Sequence, residues 1–207
     1  MPRGVFISLE GGEGVGKSTQ ARLLAAALRE RGREVVATRE PGGSPGAERI
    51  RALLLDREAV IAPRAEALLF AAARADHVAA VIRPALERGA AVVSDRFLHS
   101  SLAYQGHALG LGLNAIAGLH AFGSDGLLPD RVILLETEDA ECAERLRRRD
   151  GDHADRIGAR DGAYHARVRE GFRSLAGSDS DRVRIVDAGG APDAVAARVL
   201  DALGPLA

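Results

Sequence analysis

Short apolar runs alternate with longer stretches of helical periodicity along the chain. Residues 5–9, 34–38, 90–94, 131–135 and 183–186 are brief, rich in Val, Ile and Leu, and read as five strands. Residues 17–31, 64–88, 140–149 and 192–203 carry the three-to-four-residue spacing of helices. In the longest of these, Leu68, Leu69, Val78, Val81 and Ile82 are the expected core positions. The run 90–94 is apolar almost throughout, which places it centrally in a sheet buried on both faces. Strands that alternate with helices predict an α/β fold: a five-stranded parallel sheet with helices on both faces, in one domain spanning residues 1–207.

Two segments break the alternation. Residues 40–46 (Glu-Pro-Gly-Gly-Ser-Pro-Gly) are dense in turn formers. Residues 147–160 are crowded with charge and glycine and show no apolar periodicity. They read as a solvated loop or as a mobile, arginine-bearing lid.

Composition narrows the class. The 207 residues are 46% hydrophobic and 28% charged, with a formal net charge of -1. That balance fits a globular protein and argues against a general nucleic-acid or membrane-surface binder. The opening apolar run ends at Glu10, too early for a secretory signal, and no stretch approaches the length of a membrane span. Cys142 is the single cysteine, so a reducing, cytoplasmic setting is expected. Lys17 is the single lysine, and the other 27 of the 28 basic residues are arginines. A lysine that persists in so arginine-rich a chain is expected to need a compact ammonium inside a tight loop.

That lysine belongs to the most informative motif. Gly11-Gly12-Glu13-Gly14-Val15-Gly16-Lys17-Ser18 has the full Gly-x4-Gly-Lys-Ser spacing between a strand and a helix. Glycines let consecutive backbone N–H groups turn towards a triphosphate, and the following helix points its positive end at the same anion. Lys17 is expected on the β- and γ-phosphates, Ser18 on Mg²⁺, and Thr19 beside them. A GTPase would need an Asn-Lys pair to read guanine. The only asparagine, Asn114, precedes Ala115.

Asp95-Arg96 follows the most apolar strand, at the sheet edge where ligands of open α/β folds bind. It offers Asp95 to the metal or its waters and Arg96 to a phosphate. Arg39 follows another strand, and Arg51 lies one helix further on. Arg74 stands four residues after Phe70, one helical turn away on the same face, so a ring and a guanidinium could together hold a base.

These motifs together resemble the bacterial thymidylate kinases. The likeness rests on residues 9–20 around the phosphate loop, on Thr38-Arg39-Glu40-Pro41-Gly42-Gly43 and on Leu68-Leu69-Phe70-Ala71-Ala72-Ala73-Arg74. It continues through Asp95-Arg96-Phe97, Ser100-Ser101-Leu102-Ala103-Tyr104-Gln105-Gly106 and Asp155-Arg156-Ile157, in family order. The resemblance implies transfer of the γ-phosphate of ATP to dTMP, with Mg²⁺. It implies that Phe70 stacks on thymine, that Arg74 donates to a carbonyl of that base, and that Ser101 and Gln105 line the base pocket. Tyr104 would sit by the deoxyribose, Arg39 and Arg96 on the acceptor phosphate with Arg51 close by, and Glu13 and Glu40 near the sugar and reacting phosphates. Family members with an acidic phosphate loop carry a catalytic arginine in the lid. Glu13 therefore implies Arg147, Arg148, Arg149 or Arg156, with Arg149 taken as the catalytic one. Gly158 stands where related lids have an acidic residue and leaves the choice among these arginines open. The resemblance also implies a homodimer, with the Ala-rich stretch 65–80 as one possible face. Two other readings remain from the residues: a kinase for another nucleoside monophosphate or a deoxynucleoside, and a nucleotide-binding regulator without turnover.

Overall fold

The computed structural model describes residues 3–150 and 155–206, with the side chains of Asp139, Arg149 and Asp150 outside the description. Five strands, β1 (Phe6–Glu10), β2 (Val35–Arg39), β3 (Ala91–Asp95), β4 (Arg131–Glu136) and β5 (Val183–Asp187), form one parallel sheet in the order β2-β3-β1-β4-β5. All are within a residue of the expected positions. Every residue of β1 is buried, and so are the first four of β3, as a two-faced sheet requires of its middle strands.

The period of two along the strands assigns each side chain to a layer. Ile7, Leu9, Val93, Ile133 and Leu135 face α1 (Lys17–Glu30) and α9 (Pro192–Leu203), where Leu24, Leu28, Val195, Val199 and Leu203 complete one core. Phe6 and Val92 face the opposite way, onto Val78, Ile82, Leu86 and Ile116. Val132 and Leu134 on that side pack against Tyr104, Tyr164 and Phe172. The register Leu9↔Asp95 and Arg39↔Asp95 brings the carboxyl ends of β1, β2 and β3 level.

The long helical region is α3 (Pro63–His77), then wider turns over Val78–Ile82, then α4 (Arg83–Glu87). The wider turns lie directly ahead of Pro84, which has no N–H to continue the helical ladder. Val78 and Ile82 are buried as expected, Leu69 and Val81 partly so. Leu68 departs from expectation at 56% exposed. The buried stripe of α3 runs through Glu66, Ala67, Ala73, Arg74 and His77, which turns Leu68 outwards.

The turn-dense segment gives way to α2 (Pro45–Leu55), whose first turn is closed by Ala47 N donating to Ser44 Oγ at 3.4 Å. Three further helical stretches were not assigned from periodicity. They are α5 (Leu98–Ser101) continuing as wide turns over Leu102–Ala108, α6 (Leu113–Ser124) and α8 (Gly162–Ser178). The N-cap of α8 is Asp161, which accepts from Tyr164 N at 2.7 Å. Helix α7 (Asp139–Asp150) also outlasts the expected start of the charged loop at 147. Among the described residues, no helix is long and apolar enough to cross a membrane.

Candidate active site

Between β1 and α1 the backbone adopts conformations that side chains resist. Gly14 has φ +76°, and a Cβ there would lie 2.6 Å from the Cys142 carbonyl oxygen. Gly16, at φ +96°, leads into α1 without any side-chain cap, so the first N–H groups of that helix stay free for an anion. Lys17 is folded back into this loop, with Nζ donating to the Gly12 carbonyl at 2.5 Å. Burial, with the positive Arg96 nearby, pushes the ammonium down to about 8.

Ser18 Oγ donates to Asp95 Oδ2 at 2.5 Å, which joins the start of α1 to the end of β3. The other oxygen, Asp95 Oδ1, is buried and has no hydrogen-bond partner among the described residues. Two hard oxygen donors, one with an unused lone pair, suit an Mg²⁺ that takes the rest of its ligands from phosphate and water. No larger cluster of metal-ligating side chains occurs among the described residues.

Arg96 has φ +74°, a left-handed conformation that costs a non-glycine residue roughly 1–2 kcal/mol. Ser94 Oγ braces it by donating to the Arg96 carbonyl at 2.7 Å. The reversal turns the guanidinium back over the loop. Nη1 donates to the Gly11 carbonyl at 3.1 Å and to Ser100 Oγ at 3.0 Å. Nη2 meets Glu13 Oε1 at 2.5 Å and Tyr104 Oη at 3.2 Å. Tyr104 also donates to Glu13, at 3.0 Å. Below them Glu10 is fully buried, accepts from Phe97 N at 2.8 Å and Ser100 Oγ at 2.6 Å, and is pushed up to about 7 by desolvation.

The facing wall belongs to β2, α2, α3 and α5. Arg74 is buried, with Nε on Glu40 Oε2 at 2.7 Å and Nη2 on Ser101 Oγ at 2.8 Å and the Phe97 carbonyl at 3.2 Å. His77 bonds the other Glu40 oxygen at 3.1 Å and Thr38 Oγ1 at 2.7 Å. Gly43 is needed beside this chain, because a Cβ there would lie 2.4 Å from His77 Nε2. Arg39 pairs with Glu48 at 3.0 Å, and Arg51 donates to the Pro41 carbonyl at 2.7 Å.

The two walls enclose a cleft of about 550 Å³. It is lined by Glu13, Gly14, Gly16, Lys17, Ser18, Thr19, Arg39, Glu40, Arg51, Phe70, Arg74, Asp95, Arg96, Ser101, Tyr104 and Gln105. Gly11, Gly12 and Val15 instead border a separate cavity of about 250 Å³ behind the loop, towards α7 and α8. Of the arginines expected from the lid, the three with described side chains are not gathered in the cleft. Arg147 and Arg148 pair with Glu144 on the open side of α7. Arg156 turns to Glu66, at 2.9 Å, and to the Leu54 carbonyl. The Arg149 side chain lies outside the described residues.

Among the described arginines of α7, the one that reaches the cleft is Arg145, which sequence reasoning passed over. It donates to the Val15 carbonyl at 3.3 Å and to the Ala188 carbonyl at 3.0 Å, and pairs with Glu141 at 2.5 Å. Its signal was the i, i+4 spacing from Glu141 on the helix after β4. Glu10, Ser100, His77 and Glu66 were also given no role: Glu10 and Ser100 lie within quoted motifs, but the partners of all four are supplied by the fold.

A family model described as thymidylate kinase matches residues 9–199. The chain belongs to the thymidylate kinase family. It is therefore a nucleoside monophosphate kinase by family, and thus a phosphotransferase. A thymidylate kinase of Rhizorhabdus wittichii is 58% identical over 204 residues, covering 98% of both chains. One from Gluconobacter oxydans is 50% identical over 205 residues, covering 97% of this chain and 94% of the relative. A crystal structure of thymidylate kinase from Ehrlichia chaffeensis superposes with a TM-score of 0.80 at 30% identity, over 98% of this chain and all of that one.

Proposed function

We propose that this protein transfers the γ-phosphoryl group of ATP to dTMP, giving dTDP and ADP. One observation carries the reading: the junction Asp95-Arg96. Asp95 is hydrogen-bonded to Ser18 of the phosphate loop, while the next residue turns at positive φ and its guanidinium spans from Glu13 of that loop to Ser100 and Tyr104, the side read as the acceptor's. Donor and acceptor groups thus meet at one strand end.

The acceptor phosphate is already an anionic nucleophile at neutral pH. One of its oxygens forms the new bond to the γ-phosphorus as the bond to the β–γ bridging oxygen breaks. The protein's task is to hold two polyanions together and neutralise the moving charge. Gly11 to Thr19 cradle the triphosphate, with Lys17 on the β- and γ-phosphates. Ser18 and Asp95 would hold Mg²⁺, which would neutralise the phosphate oxygens. Arg96, Arg39 and Arg51 hold the acceptor phosphate, and the Arg96–Glu13 pair keeps the guanidinium placed until that phosphate arrives. Phe70 and Arg74 take the base, Ser101 and Gln105 line its pocket, Tyr104 and Glu13 flank the sugar, and Glu40 fixes Arg74. Residues 147–160 act as a lid on one kinase domain, and Arg149 supplies a further positive charge when it closes.

We also propose a cytoplasmic homodimer. Its face comprises the outer sides of α3 and α6, where Leu68 and Phe122 are exposed, the latter to 92%. Ala75 and Gly123 pack those two helices so closely that a Cβ on the glycine would lie 3.2 Å from the alanine's. The proposed partners are dTMP and ATP, with no nucleic acid or membrane.

The test is ADP release with and without dTMP. ADP and dTDP should form one for one, and ADP formation should be negligible without the acceptor. A chain that binds ATP and leaves it intact in the presence of dTMP is a regulator, and the reading fails.

A further inference from the structure

Glu66 is, with Glu10, one of two fully buried carboxylates among the described residues that the reaction does not use: its side chain is 0% exposed. It lies on α3 one turn before Phe70 and two turns before Arg74, on the face that looks towards the cleft. A carboxylate so placed must be compensated. Arg160 Nη2 meets Oε2 at 2.5 Å, and Arg156 Nη2 lies 2.9 Å from the same oxygen. The remaining oxygen, Oε1, accepts from Gln105 Nε2 at 3.0 Å.

The last contact has a chemical consequence. A carboxylate can only accept, so Gln105 must turn its NH₂ to Glu66. The amide oxygen is then the end left for the cleft that Gln105 lines. We infer that Glu66 is a positioning residue for acceptor specificity: it locks the Gln105 amide with its oxygen towards the cleft, so that the pocket selects a pyrimidine whose ring N3 carries a hydrogen. Thymine has that N–H donor at N3. Cytosine has a lone pair there and would face the amide oxygen with two acceptors. The inference rests on the base-pocket reading of Gln105 above. Arg156 and Arg160 extend the same lock to the chain after α7. Arg156 also donates its backbone N–H to the Leu55 carbonyl, and Arg160 lies over the Tyr164 ring at 4.5 Å.

The test compares Glu66→Gln with Gln105→Ala and the double variant, using kcat/KM for dTMP and dCMP and KM for ATP. A glutamine at 66 can donate or accept, so the orientation is released without loss of shape. Glu66→Gln should raise KM for dTMP about tenfold and lower the dTMP-over-dCMP preference about tenfold, with KM for ATP within about twofold. In the Gln105→Ala background the same substitution should add nothing, because the two act through one contact. Glu66→Asp keeps the charge but falls short of Gln105, and should repeat the loss of preference if Glu66→Gln does not fold. Three results overturn the inference: a preference unchanged by Glu66→Gln while Gln105→Ala lowers it, effects that simply add, or loss of the fold in both Glu66 variants. If Gln105→Ala itself leaves KM and preference unchanged, the base-pocket reading fails and takes this inference with it.

Discussion

The phosphate-loop wall of the cleft offers backbone, and the wall facing it offers side chains. Along the first, glycines at positive φ and the uncapped start of α1 aim N–H groups inwards, with one lysine folded among them. Along the second, Thr38, His77, Glu40, Arg74 and Ser101 are strung together through contacts that span 27 to 39 positions in sequence. A triphosphate is a repeating anion that a ring of dipoles can hold. A nucleoside monophosphate must be told from others, which calls for directional donors whose own positions are fixed by a second set of partners. Arg96 stands between the walls and touches both.

Substitutions can break this contrast at different points. Arg96→Ala removes the joint and should lower turnover by about 10³-fold or more while ATP affinity stays within about fivefold. Nucleotide binding by equilibrium titration beside a steady-state assay separates the two, and a collapse of ATP affinity would move Arg96 to the donor wall. Lys17→Arg should lower turnover about 10²- to 10³-fold in a folded protein, because the planar guanidinium does not fit where the ammonium is enclosed. Near-normal turnover would show that the loop accepts any cation. Phe70→Ala should raise KM for dTMP about 10- to 100-fold, as lost stacking requires, and leave KM for ATP nearly unchanged. Equal changes in both would return Phe70 to the core.

The smallest expected effect is on pH dependence. Lys17 is lowered to about 8 in the folded protein, so its charge is complete below that pH and is lost as pH rises through it. ATP affinity should therefore fall about tenfold between pH 7 and pH 9, with no such fall in Lys17→Met. A flat profile for the unmodified protein would mean that the ammonium stays charged in its enclosure.

The contrast also explains what was legible in the sequence. Backbone recognition is written locally, so the phosphate loop, the five strands and the Asp95-Arg96 strand end could be read from spacing alone. The helix of residues 113–124 could not, because Ala, Gly and Leu dominate it and several of its apolar side chains lie outside. Leu68 was misplaced for a related reason: polar Glu66, Arg74 and His77 occupy the buried stripe of α3, and apolar residues were left to the surface. Arg145 escaped because only the fold brings it to Val15 and Ala188. The side chains that fix Arg74 and Gln105 could not be paired from sequence either, since their partners come from other elements.

The central claim is that the second wall reads thymine. A coupled assay of ADP release with dTMP, dUMP, dCMP and AMP, each at matched concentration with saturating ATP, tests it most directly. The account predicts that kcat/KM is highest for dTMP and falls sharply for dCMP and AMP. A clear preference for any acceptor other than dTMP would contradict it.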